Sequence, residues 1–306
     1  MKTINNGVYP AMITPYTIDH EVDYEAAKQL IQWYAQRGCP GVFADCLSNE
    51  IFYLSLEERE KLARTVLEAA PEGMDVVVSG HVSDTMDEQL KELAVMASLG
   101  SKAVVLITNR LAKEDESDEV LLRNAQTILE AFPDVDFGLY EAPLPYKREL
   151  TPKTIKALAE TNRFIFLKDT CCEIEKIKAK LDAICGTRLK LYNANTATLL
   201  DSLDYGAAGY CGVMANFHPQ YYVELTNIHS TEPEKAKKLQ NYLGFSSVVQ
   251  YQMYPLNAKR YLQLSGLPIQ TTFCRNRADD KLDETMLTEL EQMFAYDTYA
   301  KSYWNE

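Results

Sequence analysis

Strands buried on both faces of a parallel sheet read in sequence as short, nearly continuous apolar runs. This chain of 306 residues carries eight of them, at 8–16, 41–47, 75–81, 103–108, 137–142, 164–170, 189–194 and 209–214. Most are rich in β-branched or aromatic residues, and longer stretches with apolar residues at helical spacing separate them. The helical stretches carry their own start and stop signals. Ser55 with Glu58 three positions on makes a capping box, and Thr151-Pro152 places an N-cap before a proline at the first helical position. Gly38 and Gly100 stop the helices predicted over 23–36 and up to Leu99. Further helices are predicted over 118–131, 173–184 and 199–203. Eight strand–helix units in about 220 residues predict an α/β fold, a closed (β/α)8 TIM barrel rather than an open sheet. An open doubly wound sheet would show a glycine-rich fingerprint after its first strand. The first run here ends Thr14-Pro15-Tyr16, which supports no dinucleotide site. Beyond Pro219 the segments 219–229, 232–253, 255–265 and 284–296 read as helices. The expected organisation is a barrel over 1–218 with a C-terminal helical extension over 219–306 packed on it.

Composition then removes classes of partner. Net charge is −13 and no Lys/Arg block occurs, so the basic stripe that meets phosphates is missing. Neither nucleic acid nor an anionic membrane surface is an expected partner, whereas a local positive pocket can still take a small acid. No apolar run approaches the roughly 18 residues of a membrane helix. The first residues are polar, with no leader pattern, so a cytoplasmic location is expected. Seven cysteines are scattered without a C-x-x-C pair, and the four histidines stand far apart. Reduced thiols and no metal site follow as expectations. The charge-rich segment 113–119 reads as a solvated loop.

In a barrel of this kind the chemistry sits at the C-terminal ends of the strands. The sixth run closes Phe164-Ile165-Phe166-Leu167-Lys168-Asp169-Thr170. Burial disfavours an ammonium and so supplies the neutral amine that a Schiff base requires. The competing reading pairs Lys168 with Asp169 in an ordinary salt bridge. The neighbouring fifth run ends Leu139-Tyr140-Glu141, which puts a phenol at the depth of Lys168, where it can move protons. After the second run, Leu47, Ser48, Asn49 and Glu50 form a polar turn at the same end, with a hydroxyl and backbone N–H groups suited to a carboxylate. In the eighth run Gly209 and Cys211 line the approach, with glycine either admitting a ligand or relieving crowding. Asn109, Asn193, Asn195 and Asn216 stand near strand ends, either to bind hydroxyls or to form turns.

Together these residues resemble the dihydrodipicolinate synthase / N-acetylneuraminate lyase family from about Gly7 to Leu267. The resemblance is carried by Gly7-Val8 with Ala11 and Thr14-Pro15, then by Gly38, Gly41, Ser48, Glu50 and the 54–59 segment. Tyr140, Lys168-Asp169, Gly206-Ala207, Gly209, Ala258-Lys259, Leu262 and Gly266-Leu267 continue it in order. It implies a pyruvate-type Schiff base at Lys168, Tyr140 as proton shuttle, a carboxylate site at Ser48, no cofactor, no metal, and a homotetramer. Three departures bear on the second substrate. Leu47 lacks the hydroxyl the family carries there. The loop Thr108-Asn109-Arg110-Leu111 lacks a proline-tyrosine-tyrosine pattern. Pro145 stands in place of a substrate-binding arginine, with Arg148 close by.

The leading expectation is therefore a lyase or aldolase that joins or cleaves a C–C bond beside pyruvate or a related 2-oxo acid, on a sugar acid for example. A 4-hydroxy-tetrahydrodipicolinate synthase and a keto-deoxy sugar-acid dehydratase share the imine step. A barrel that merely binds a small acid is the alternative of another class. A phosphate-substrate barrel ranks below these, because the seventh run ends Asn193-Ala194-Asn195-Thr196 without a glycine-rich loop.

Overall fold

Parallel backbone ladders gather the eight apolar runs into one sheet. In the computed structural model, which describes residues 3–305, the strands are β1 (Gly7–Val8), β2 (Gly41–Ala44), β3 (Asp75–Ser79), β4 (Ala103–Ile107), β5 (Phe137–Tyr140), β6 (Phe164–Asp169), β7 (Lys190–Asn193) and β8 (Gly209–Tyr210). Their order around the sheet is β1-β8-β7-β6-β5-β4-β3-β2, and every paired neighbour is parallel. The gap between β1 and β2 is spanned beyond the strand proper. There Ala11 bridges Phe43 in parallel, with Met12 N–H donating to the Phe43 carbonyl and Phe43 N–H to the Pro10 carbonyl, both at 3.0 Å. The result is the (β/α)8 barrel.

Closure explains why two long apolar runs pair so briefly. Runs 8–16 and 209–214 enter the ladder over two residues each, with Gly7 opposite Gly209. A Cβ on Gly209 would stand 1.8 Å from the Gly7 carbonyl oxygen, so the two backbones meet only because that side chain is absent. Past this contact both chains leave the ladder and turn toward the mouth.

Seven helices follow the first seven strands: Tyr24–Gln36, Leu56–Ala69, Met86–Ser98, Asp118–Ala131, Pro152–Glu160, Ile174–Ile184 and Leu199–Asp204. The predicted caps are present. Ser55 and Glu58 form a reciprocal capping box, and Thr151 accepts from the Thr154 N–H with Pro152 at the helix start. Apolar faces of these helices cover the outside of the sheet, in the larger of two cores. The barrel interior holds the second, in which Tyr9, Phe43, Phe166 and Tyr192 meet at ring-centroid distances of 4.8 to 5.7 Å. Each such ring contributes about 1.5–3 kcal/mol by leaving water. Functionally, the rings form a solid floor under the mouth.

After β8 the helix Pro219–Ile228 lies against β1 and β8. Helices Pro233–Ser246, Leu256–Leu264 and Glu284–Asn305 complete the chain. Two expectations differ here. The stretch 232–253 ends as an α-helix at Ser246 and tightens to a 3₁₀ turn over Ser247–Tyr251. The last helix runs well past 296, because Asp297, Ala300 and Trp304 are buried on it. Asp297 binds three elements at once: His218 Nδ1 lies 2.9 Å from its carboxylate, and the Tyr242 and Tyr261 phenols donate to it. Among the described residues no helix is long and apolar enough to cross a membrane, and no group of three metal-ligating side chains occurs.

Candidate active site at the mouth of the barrel

Strand periodicity decides where Lys168 points. Residues i and i+2 of a strand share a face, so Lys168 sits on the same inward face as Phe166, above the aromatic floor. Leu167 and Asp169 face out. The parallel register sets Tyr140 of β5 opposite Lys168 of β6. The Lys168 amine stands 4.6 Å from the Tyr140 ring centre and 5.4 Å from that of Phe43, and the side chain is 3% exposed.

The salt-bridge alternative fails on the same periodicity. Asp169, pointing outward, takes Lys180 of the helix Ile174–Ile184 at 2.6 Å. Lys180 also meets Glu141, the residue after β5, at 2.6 Å, and all three side chains are buried. Glu141 accepts the Leu150 N–H (2.7 Å) and Asp169 the Cys171 N–H (3.0 Å). This outward cluster clamps the ends of β5 and β6 and so fixes the spacing of Tyr140 and Lys168 on the inner side.

Opposing influences act on the amine. Burial disfavours the ammonium, while negative charge on Tyr140, Cys211, Cys46 or Tyr210 favours it, and the balance leaves Lys168 above the ordinary lysine value. That is opposite to the lowering expected from the sequence. The upward pull exists only where a phenol or thiol has ionised. Burial pushes both Tyr140 and Cys211 up to about 12. Near neutral pH these groups are uncharged, and burial is the influence that remains. Amine and phenol each favour the other's charged form.

The turn after β2 forms the opposite wall. Leu47–Asn49 is a single 3₁₀ turn, ended by Glu50 in the left-handed region at φ 63°. Asn49 uses its side chain to hold the turn: its Oδ1 accepts the Cys46 N–H at 3.2 Å, and Thr14 Oγ1 donates to its carbonyl at 2.7 Å. Lys259 meets the buried Glu50 carboxylate at 3.3 Å, and the Asn276 N–H donates to the same group at 3.1 Å. The lysine of the late Ala258-Lys259 motif is thus an anchor for the turn that carries Ser48. Within the turn, the Asn49 N–H donates to the Cys46 carbonyl at 3.0 Å and the Glu50 N–H to that of Leu47 at 2.9 Å. Leu47 packs its apolar side chain against the barrel interior.

The candidate residues separate into two groups. Lys168, Tyr140, Ser48, Leu47 and Cys211 lie around the mouth. Gly209 lies below it, at the β1 contact. Asn195 is a turn former: its Oδ1 accepts from the Thr198 N–H (3.0 Å) and hydroxyl (3.1 Å). Asn193 spends its amide on Thr198 and Ser202, and Asn109 clips the carbonyls of Ala142, Leu144 and Tyr146. Arg148 bonds the Lys113 carbonyl and Asp118, away from Lys168. Four residues of the site escaped the sequence reading: Phe43, Cys46, Tyr210 and above all Tyr254. The phenol of Tyr254 lies 3.1 Å from Asn216 Nδ2, and burial pushes it well above its ordinary value. It comes from the irregular link before the helix Leu256–Leu264, where no periodic signal exists.

A model of the dihydrodipicolinate synthetase family matches residues 5–293. The chain belongs to that family. It is accordingly a lyase of the Schiff-base-forming class, carbon–carbon or carbon–oxygen, as the sequence resemblance implied. The 4-hydroxy-tetrahydrodipicolinate synthase of Methanocaldococcus jannaschii is 27% identical over 268 residues, 87% of this chain and 86% of that one. That of Coxiella burnetii is 23% identical over 290 residues, 94% of each. Among solved structures, the Acinetobacter baumannii dihydrodipicolinate synthase complexed with pyruvate superposes with a TM-score of 0.84, at 23% identity, covering 95% of this chain and 97% of that one. YagE from E. coli K12, a prophage protein of the same family also in complex with pyruvate, gives 0.85 at 22% identity, covering 95% and 98%. These structures share the fold of this family member.

Proposed function

We propose that Lys168 condenses with C2 of pyruvate or a closely related 2-oxo acid, and that the resulting iminium drives cleavage or formation of the adjacent C–C bond. One observation carries the reading: a buried amine and a buried phenol stand opposite each other in register, over a closed aromatic floor, at the catalytic end of a barrel. The amine attacks C2; one of its own protons and the proton of Tyr140 pass to the C2 oxygen, which leaves as water and leaves the iminium. The iminium draws the electrons of the breaking bond into an enamine. The hydroxyl and N–H of Ser48 bind the carboxylate, with Leu47 and Cys211 completing the apolar wall. Asn49, Asn195 and Gly209 contribute by shaping the backbone that carries these groups.

The second substrate is proposed to be a sugar-derived acid or aldehyde. Arg148 and Asn109 are occupied elsewhere, which disfavours the second substrate suggested by the name of the relatives. Dehydration of a keto-deoxy sugar acid remains the nearest alternative. A purely binding role is disfavoured by the Lys168–Tyr140 pair. The barrel over 1–218 is proposed to act with the extension over 219–306 as one cytoplasmic subunit of a homotetramer, as the family resemblance implies. A panel of 4-hydroxy-2-oxo acids and keto-deoxy sugar acids, with pyruvate release coupled to lactate dehydrogenase, tests the activity. Release is expected from at least one compound and from none with Lys168→Ala. Loss of water without pyruvate would indicate the dehydratase, and no turnover across the panel would contradict the lyase.

A further inference from the structure

We infer that an exposed aromatic strip along the helices Pro233–Ser246 and Glu284–Asn305 is an interface between two copies of this chain, paired about a two-fold axis. The inference goes beyond the catalytic reading and does not depend on it.

Three observations carry it. The first is where apolar surface is left uncovered. Of eleven large apolar side chains exposed among the described residues, six stand here. Phe245, Tyr251 and Tyr299 are 73%, 80% and 72% exposed, and Val248, Tyr296 and Tyr303 half or more. The two helices pack against each other. The groove between them, about 420 Å³, is lined by Phe245, Val248, Met293 and Tyr296, and its continuation takes in Asn241 and Tyr303. Aromatic side chains bring about 150–250 Å² each, so at these exposures the strip offers on the order of 700 Å². That is close to the roughly 800 Å² each partner gives to a standard interface, and more than most monomers leave bare. The second observation is spacing. Lys238, Asn241, Phe245 and Val248 recur at intervals of three and four, as do Glu289, Gln292, Tyr296, Tyr299 and Tyr303. This is the period of a seam that another helix covers. Tyr251 extends it, three residues past Val248 in the 3₁₀ turn, where such residues eclipse. The seam runs beside the stripe of Leu290, Asp297, Ala300 and Trp304, by which the last helix is buried on its own chain.

The third observation is charge, and it selects the occupant. The helices run antiparallel: Gln252 donates to Glu289 at 2.5 Å at one end of the groove, while Asn241 and Tyr303 share the other. Lys238 and Lys301 stand toward the Asn241 end, and Glu284 and Glu289 toward the Gln252 end. A two-fold axis through the middle of the strip lays the lysines of one copy on the carboxylates of the other and sets aromatic middle on aromatic middle. The strip is thus its own complement. Its glutamates, on a chain of net charge −13, disfavour an anionic lipid surface as the occupant. Tyr296, Tyr299 and Tyr303 lie beyond residue 293, where the family match ends, so half of the strip is outside the shared segment.

Sedimentation velocity on the full chain reads the interface as mass. The double variant Phe245→Glu, Tyr296→Glu is expected to form an assembly of half the parent mass, since losing an isologous interface divides the assembly in two. Both side chains are exposed, so its thermal midpoint should match the parent protein. An unchanged mass overturns the proposal and leaves a tetramer built on other faces standing. A parent protein that sediments as a monomer overturns it as well. Photo-cross-linking decides the matter even if the double variant fails to fold. With p-benzoylphenylalanine at position 299, an equal mixture of unlabelled and heavy-isotope protein is expected to give mixed-isotope cross-links to residues 238–252 or 289–303 of another copy. Cross-links confined to one chain, or made to a different face of the second copy, overturn the proposal.

Discussion

Replacing Lys180 by methionine is expected to remove about 3–5 kcal/mol of folding stability, the usual effect of leaving a buried charge without its partner. Lys180 is 2% exposed and is the cation between the fully buried Glu141 and Asp169. Methionine fills the space but leaves two facing carboxylates. The loss should depend on pH in a definite direction. Burial foremost, opposed by Lys180 and reinforced by Asp169, already pushes Glu141 up to about 7. A carboxylate whose folded value lies above its unfolded value of about 4.3 loses stability as pH climbs between the two. Without Lys180 that window extends upward. The variant should therefore be weakest above pH 7 and recover toward pH 5. Urea melts at pH 5, 7 and 8.5 measure this, and a flat difference would mean that the cluster stays neutral. Lys176 provides the control: it pairs with Glu149 and Glu173 at the surface, so Lys176→Met should leave the melts almost unchanged.

Tyr140→Phe is expected to lower kcat by about 10²–10⁴ while leaving pyruvate affinity nearly as it was. The ring meets Phe43 edge-on at 5.4 Å between centroids and lies in the inner core, and phenylalanine keeps both contacts. What disappears is the proton donor on the ring beside the Lys168 amine. Steady-state kinetics with any substrate found in the panel, together with pyruvate titration, separate the two effects. An unchanged rate would make Tyr140 a packing residue.

The barrel was legible because its information is local. Strands buried on both sides must be apolar throughout, and the helices between them carry caps such as Ser55 with Glu58 that act within one turn. Lys168 and Tyr140 stood out for the same reason: polar groups closing apolar strands. What sequence could not reveal was pairing between distant elements. The partner of Asp169 is Lys180, eleven residues on and across a strand–helix contact, and nothing in the spacing distinguishes it from Lys176 or Lys178. The asparagines near strand ends looked like hydroxyl binders, yet Asn109, Asn193 and Asn195 spend their amides on nearby backbone and hydroxyl groups. Tyr254 was invisible because an irregular link brings it to the mouth. Burial of the Lys168 amine was apparent from the sequence, but its company of phenols and thiols, which pull the other way once ionised, was not.

The central claim concerns one nitrogen, and reductive trapping tests it most directly. The protein is incubated with pyruvate, reduced with borohydride and digested, and the peptides are weighed. The account predicts a single adduct, on the peptide containing Lys168, lost in a folded Lys168→Ala variant. An adduct on Lys180, Lys259 or a surface lysine would contradict it, as would the absence of any adduct across a range of 2-oxo acids.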